Sequence, residues 1–230
     1  MPPQPLSSVK SDARIIPNPG VLRAQPTLAP LIADVISLWS HIEANLATVL
    51  ARMLVASAQA GMAMYQAVRS PNAQFDMLKA LARETLAPAQ LPIFEAAMRL
   101  VRRFGRQRDR IAHWLWAYSP DLPDALLLID PNRAAEYHAS LAEHLMQFPH
   151  PAGTVNTAPV NATQFPALNP AIVLVYRDKD FQEVIYDLNT VWNLTVTLIG
   201  CVTRGHPLGH AQWQLLATQP RMAEELSRKS

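Results

Sequence analysis

An arginine and a histidine five positions apart, Arg108 and His113, are the residues whose types and spacing best suit a chemical reaction. Cleavage of RNA without a metal requires a group that transfers protons near neutral pH and a fixed cation that stabilises charge on the phosphorane. Histidine supplies the first and arginine the second. Asp109 lies four residues before His113, so on a helix its carboxylate shares a face with the imidazole and can fix the tautomer. These three residues are the predicted catalytic group.

Helical geometry limits how Arg108 and His113 can act together. Residues five apart on a regular helix point about 140° apart, so the two share a cleft only if the helix is distorted at its end or a second chain brings its own copy. Structural roles are the alternative. His113 would cap a helix C-terminus, which favours cationic side chains, and Arg108 would form a buried ion pair with Glu43. Glu43 lies on the apolar stripe of another predicted helix, where a charge needs a partner.

The segment from 99 to 113 is strongly basic. It holds six of the chain's 20 Lys and Arg and one of its 18 Asp and Glu, whereas the whole chain has a net charge of only +2. Five arginines cluster on one side of the predicted helix, and Arg108 points about 180° away from the first of them, into the apolar stripe. The five, here named the arginine face, are Arg99, Arg102, Arg103, Arg106 and Arg110. A solvated helix surface is one interpretation; because glutamates are not interspersed, a partner with phosphates or carboxylates is the other.

Apolar periodicity predicts a helical protein with connections punctuated by proline. Long helices are expected over 30–58, 72–86, 90–112 and 180–203, and shorter ones over 133–147 and 210–217. Ser70 and Pro71 are typical of a cap and a first helical residue, and Asp180 with Glu183 has capping-box spacing. After His113 the period changes to two, which predicts a β-hairpin over 114–130 and a further strand over 171–176.

Pro-rich or aperiodic segments delimit the predicted domain. Residues 1–27 are interpreted as a flexible tail, 149–170 as an exposed loop and 206–230 as a C-terminal tail. One helical domain over 28–205 is left between the tails. At 230 residues, half of them apolar, the chain has room for one domain with a sizeable core.

Composition also restricts compartment and cofactor. The single cysteine, Cys201, excludes an intramolecular disulfide and fits a reducing compartment. We expect no signal peptide and no membrane span, because no apolar run is suitable for either, and therefore a cytoplasmic protein. Phosphate loops, dinucleotide fingerprints, serine elbows and CxxC pairs are missing from the sequence. His206 and His210 have ligand spacing, but a proline and a glycine separate them, so neither metal nor cofactor is expected.

Three segments together resemble the HEPN superfamily (higher eukaryote and prokaryote nucleotide-binding). They are LWSHIEANLATVLARML at 38–54, RQRDRIAHWLW at 106–116 and VYRDKDFQEVIYDLNTVWNL at 175–194. The middle segment contains the short motif of arginine, polar residue, any three residues and histidine. It stands at the end of a basic third helix and leads into the predicted hairpin. The resemblance covers most of residues 30–203.

The resemblance implies an all-α, up-and-down four-helix-type bundle with a small β-hairpin insertion. It implies a homodimer whose two copies of the motif line one cleft, and a metal-independent endoribonuclease of the toxin or phage-defence type, with RNA as substrate and a cognate antitoxin as a further partner. By matching position, Arg108 would hold the phosphate, Asp109 would be the polar residue and His113 the acid or base. Asparagine is commoner at the place of Asp109, and many relatives have glycine where Trp114 narrows access for substrate.

Other members of that superfamily are non-catalytic scaffolds or binding modules. This alternative assigns function to the arginine face, through nucleic acid or a protein partner, instead of to Arg108 and His113.

Overall fold

A computed structural model of the chain describes residues 3–18, 20–147, 168–205 and 209–228. These residues are mostly helical and include one five-stranded antiparallel sheet. The chain divides into two compact units. One comprises Met1–Pro30 with Arg110–Phe181 and contains the sheet, and the other comprises Leu31–Asp109 with Gln182–Ser230.

The helices within the described residues are α1 (Leu6–Val9), α2 (Leu28–Leu54), α3 (Ala58–Ala67), α4 (Pro71–Thr85), α5 (Leu91–His113), α6 (Ala135–Gln147), α7 (Asp178–Val202), α8 (Gly209–Thr218) and α9 (Pro220–Ser227). The strands are β1 (Gln4–Pro5), β2 (Ile16–Pro17), β3 (Leu115–Tyr118), β4 (Leu126–Ile129) and β5 (Val173–Tyr176), in the spatial order β1-β5-β4-β3-β2. The boundary between the two units falls within α5, between Asp109 and Arg110.

The predicted hairpin forms the centre of the sheet. Strands β3 and β4 pair antiparallel with Leu115 opposite Ile129, and β5 pairs with the other edge of β4. All four residues of β4 are buried, as expected of a central strand packed on both faces. The predicted strand over 171–176 is confirmed as β5, so the small insertion that we expected is part of a larger sheet.

The N-terminal segment, which we interpreted as a flexible tail, supplies both edge strands. Gln4 pairs with Val175 and Ile16 pairs with Tyr118. Leu6 is fully buried in the apolar core of this unit. The interpretation was wrong because strands of two residues are too short to show any periodicity.

The four long helices that periodicity predicted are present, with shifted ends. At the start of α4, Ser70 Oγ accepts a hydrogen bond of 3.4 Å from Ala73 N, and Pro71 is the first helical residue. At the start of α7, Asp180 Oδ2 accepts from Arg177 N at 2.8 Å. Asp180 therefore lies inside the first turn of α7 and accepts a hydrogen bond from Arg177, the residue before the helix. It is not the N-cap residue that the capping-box spacing predicted.

Helix α2 ends at Leu54, earlier than the expected 58, in a turn that reverses the chain. Ala56 N donates to Ala51 O at 2.9 Å and Val55 N donates to Arg52 O at 3.2 Å, the pattern of a Schellman motif. Val55 has φ of 56°, in the left-handed region. The next helix, α3, was not predicted; it packs so closely on α2 that a Cβ on Gly61 would lie 2.4 Å from Ala51 Cβ.

Three further expectations concern the C-terminal half. The short helices over 133–147 and 210–217 are confirmed as α6 and α8. The C-terminal tail contains a second helix, α9, that we did not predict. Most of the proposed loop over 149–170 lies outside the described residues.

Among the described residues, no one helix combines the length and apolarity that crossing a membrane requires. By length and composition together, α2 with α3 passes that test as a pair bent by 115°.

Candidate functional site

The Arg108 side chain contacts an aromatic ring of α2 and a carboxylate of its own helix, α5. Its guanidinium carbon lies 6.0 Å from the centre of the Trp39 ring, within the range of a cation–π contact. Its Nη1 donates to Asp109 Oδ1 at 3.2 Å. The side chain is 20% exposed, so it is half-buried. Its Nε is buried and has no acceptor within the described residues.

The Trp39 ring occupies the space left by a glycine. A Cβ on Gly105 would lie 2.5 Å from Trp39 Cη2, so α5 has room for the ring only because residue 105 has no side chain. Trp39 is buried, as its central place on the apolar stripe of α2 predicted. The absence of a side chain at Gly105 therefore admits the Trp39 ring, and this ring contacts the Arg108 guanidinium.

The expected ion pair between Arg108 and Glu43 does not form. Arg108 pairs with Asp109, and Glu43 lines a pocket together with Tyr65. Neighbouring residues on a helix do not face each other, and for that reason we did not expect Asp109. The long side chain of Arg108 nevertheless reaches the carboxylate of the adjacent Asp109.

His113 is the last residue of α5 and is exposed. Helix α5 is continuous to this point, and Trp114 N donates to Arg110 O at 3.0 Å, a helical hydrogen bond that spans the end. The helix assigned to α5 therefore includes both Arg108 and His113.

Two members of the arginine face are engaged by the C-terminal helix α9. Arg99 Nε donates to Glu225 Oε1 at 2.8 Å, and Arg103 Nη2 donates to Glu225 Oε2. The Glu225 side chain is only 5% exposed. Burial disfavours its charged form, but the hydrogen bonds and charges of Arg99 and Arg103 outweigh burial and lower the pKa of Glu225 below its usual value.

The other three members of the arginine face have separate environments. Arg102 Nη2 donates to Asn72 Oδ1 at 2.5 Å. Arg110 lies over the Trp114 ring at 5.6 Å and hydrogen-bonds the hydroxyl of Tyr176, whose pKa burial raises to about 12. Arg106 is exposed, and its side chain has no ion pair or hydrogen bond within the described residues. The five arginines are therefore not one open anion-binding surface.

Sequence reasoning missed the role of α9. Arg221 of this helix donates a hydrogen bond of 2.9 Å from Nη2 to Oδ1 of the buried Asp187. Its guanidinium carbon lies 5.9 Å from the centre of the Phe104 ring. Met222 and Glu225, three residues apart, are both buried. This spacing places them on one helix face. A methionine and a glutamate on one face of a short helix are the sequence pattern that could have predicted packing of α9 on the basic helix α5.

Comparison of the chain with protein-family models, with curated proteins and with solved structures finds no match.

Proposed function

We propose that this protein is a metal-independent, HEPN-like endoribonuclease that acts as a homodimer. The observation that carries the proposal is the state of Arg108: a half-buried cation that contacts Trp39 and Asp109, on the helix that ends in exposed His113. A fixed arginine needs little reorganisation when negative charge develops on a phosphate.

The proposed reaction is an attack of the ribose 2′-oxygen on the adjacent phosphorus. One His113 takes the 2′-hydroxyl proton as the new P–O bond forms, and the His113 of a second protomer gives a proton to the departing 5′-oxygen as the old bond breaks. Arg108 stabilises the phosphorane. The products are a 2′,3′-cyclic phosphate and a free 5′-hydroxyl, and no metal or cofactor enters the balance.

The proposed dimer would let the two residues act together. Residues five apart on a regular helix point about 140° apart, and α5 includes both Arg108 and His113. Antiparallel approach of two such helices would bring four side chains to one cleft. The up-and-down order of the helical bundle, a role as a toxin or phage-defence effector, and an antitoxin partner are further parts of this proposal, which rest on the resemblance of the three quoted segments.

The alternative, a binding module that uses the arginine face, has less support. Arg99 and Arg103 are engaged by Glu225, and Arg102 by Asn72. Only Arg106 among the five is exposed without a described partner. A single arginine neutralises about one phosphate, so it gives only weak attraction to a phosphate backbone.

Expression in a bacterial host tests the proposal. The wild-type protein is expected to slow growth and to fragment cellular RNA, whereas His113→Ala at equal abundance is expected to do neither. His41→Ala is the matched control, because His41 is also an exposed helical histidine but lies on α2. Equal growth and equally intact RNA for the wild type and His113→Ala would refute the proposal.

A further inference from the structure

A second candidate site lies among residues of α2, α3, α4 and the turn between α3 and α4. It is a pocket of about 440 Å³, which is within the size range of small-molecule sites. Its lining includes a carboxylate, a phenol, a thioether and a guanidinium, from Glu43, Tyr65, Met62 and Arg69 respectively. Pockets with a few polar groups among apolar ones are typical of ligand binding.

Glu43 has no cation paired with it among the ion pairs of the described residues. It is only partly exposed, and its position on the apolar stripe of α2 predicted that it would need a partner. Its charge acts on Tyr65: burial first and the Glu43 carboxylate second raise the pKa of the Tyr65 hydroxyl. The carboxylate and the phenol therefore lie close together in the pocket, and the Glu43 carboxylate has no ion pair with the Arg69 that also lines it.

The wall that carries Tyr65 and Arg69 is fixed by hydrogen bonds. Gln74 Nε2 donates to Tyr65 O at 3.1 Å and to Val68 O at 2.8 Å. The same turn continues to Ser70, which caps α4. The segment between α3 and α4 is therefore tied to the first turn of α4, so the pocket exists before any ligand enters.

We propose that this pocket binds a small zwitterion of the amino-acid type. The ammonium group pairs with the Glu43 carboxylate, the carbon chain packs on Met62 and the Tyr65 ring, and the carboxylate faces Arg69. One acid and one base in the same pocket favour a ligand that carries both charges, because a simple amine would meet the Arg69 cation and a simple carboxylate would meet Glu43. The inference is independent of the proposed ribonuclease activity.

Calorimetric titration of the full chain with a series of zwitterions tests the proposal. Glycine, 4-aminobutanoate and 6-aminohexanoate increase the separation of the two charges, and hexylamine and hexanoate each carry one charge. At least one zwitterion is expected to bind with a Kd of about 1 mM or tighter. Glu43→Gln, nearly isosteric, is expected to weaken that binding at least about tenfold, whereas Glu84→Gln, an exposed glutamate of α4, is expected to leave it unchanged.

Three results would overturn the proposal. One is that no zwitterion saturates the protein at millimolar concentration. Another is that Glu43→Gln binds as tightly as the wild type while remaining folded by circular dichroism. The last is that hexylamine binds as tightly as 6-aminohexanoate, in which case Arg69 takes no part; Arg69→Gln, at an exposed position, checks this directly without disturbing the fold.

Discussion

Arg99 Nε donates a 2.8 Å hydrogen bond to Glu225 Oε1, joining two residues 126 positions apart. The second carboxylate oxygen accepts from Arg103, so one buried glutamate pairs with two arginines of the same helix. Helix α9 is therefore part of the fold of its unit, and its Glu225 offsets part of the positive charge of residues 99–113.

Replacement of this carboxylate should destabilise the protein and alter its pH dependence. Glu225→Gln is expected to lower the free energy of unfolding by about 2 kcal/mol at pH 7, because hydrogen bonds to a charged group are lost. The folded pKa of Glu225 is below its ordinary value of 4.5, so its contribution is present above that value and is lost as pH falls through the folded pKa. Urea unfolding between pH 7 and pH 3 measures both effects.

The expected signature is that wild type and Glu225→Gln converge in stability at low pH. Asp187 acts in the opposite sense, because burial raises its pKa despite Arg221, but it is common to both proteins and cancels in the comparison. Glu224→Gln, at the exposed neighbouring position, is the control and should stay near the wild type. A stability difference that is the same at pH 7 and pH 3 would contradict this explanation.

The Trp39 ring should not tolerate a methyl group on the facing helix. Gly105→Ala would place a Cβ 2.5 Å from Trp39 Cη2, so the ring must move. We expect a loss of stability of about 1–3 kcal/mol from overpacking, although alanine is the better helix former. Thermal unfolding measures the loss, and tryptophan fluorescence reports displacement of the ring. Gly209→Ala, where a Cβ meets nothing within 4 Å, is the control; equal stabilities of the two variants would refute the packing argument.

Val55 should be a site at which glycine stabilises the protein. A β-branched residue at φ of 56° is strained, whereas glycine adopts this conformation freely. The side chain is 67% exposed, so little burial is lost. Val55→Gly is expected to raise the free energy of unfolding by about 1 kcal/mol, seen as a higher midpoint in urea. Val55→Ala should gain less, because alanine keeps a Cβ; a lower midpoint for Val55→Gly would show that the turn is not strained.

Features repeated along the chain were predictable from the sequence. The 3.6-residue period located α2, α4, α5 and α7, and the alternation after His113 located the central hairpin. Ser70 and Pro71 identified the start of α4. Each of these depends on local sequence, in which neighbouring positions reinforce one another.

Long-range pairings were not predictable in the same way. The two-residue edge strands form only because β3 and β5 present free edges to the N-terminal segment. Arg108 pairs with Asp109 of its own helix and contacts the Trp39 ring, whereas the sequence pointed to Glu43. Likewise, the arginine face looked open because its counter-ion, Glu225, is supplied by a helix at the far end of the sequence.

The central claim is that His113 and Arg108 cleave RNA without a metal, and analysis of cleavage products in the presence of EDTA tests it most directly. Purified wild-type protein is expected to cut an end-labelled RNA into fragments that end in 2′,3′-cyclic phosphate. Both His113→Ala and Arg108→Ala, folded and in the same oligomeric state, should be slower by a factor of about 100 or more. If the wild type makes no such product, or if His113→Ala makes it at the wild-type rate, the account is contradicted.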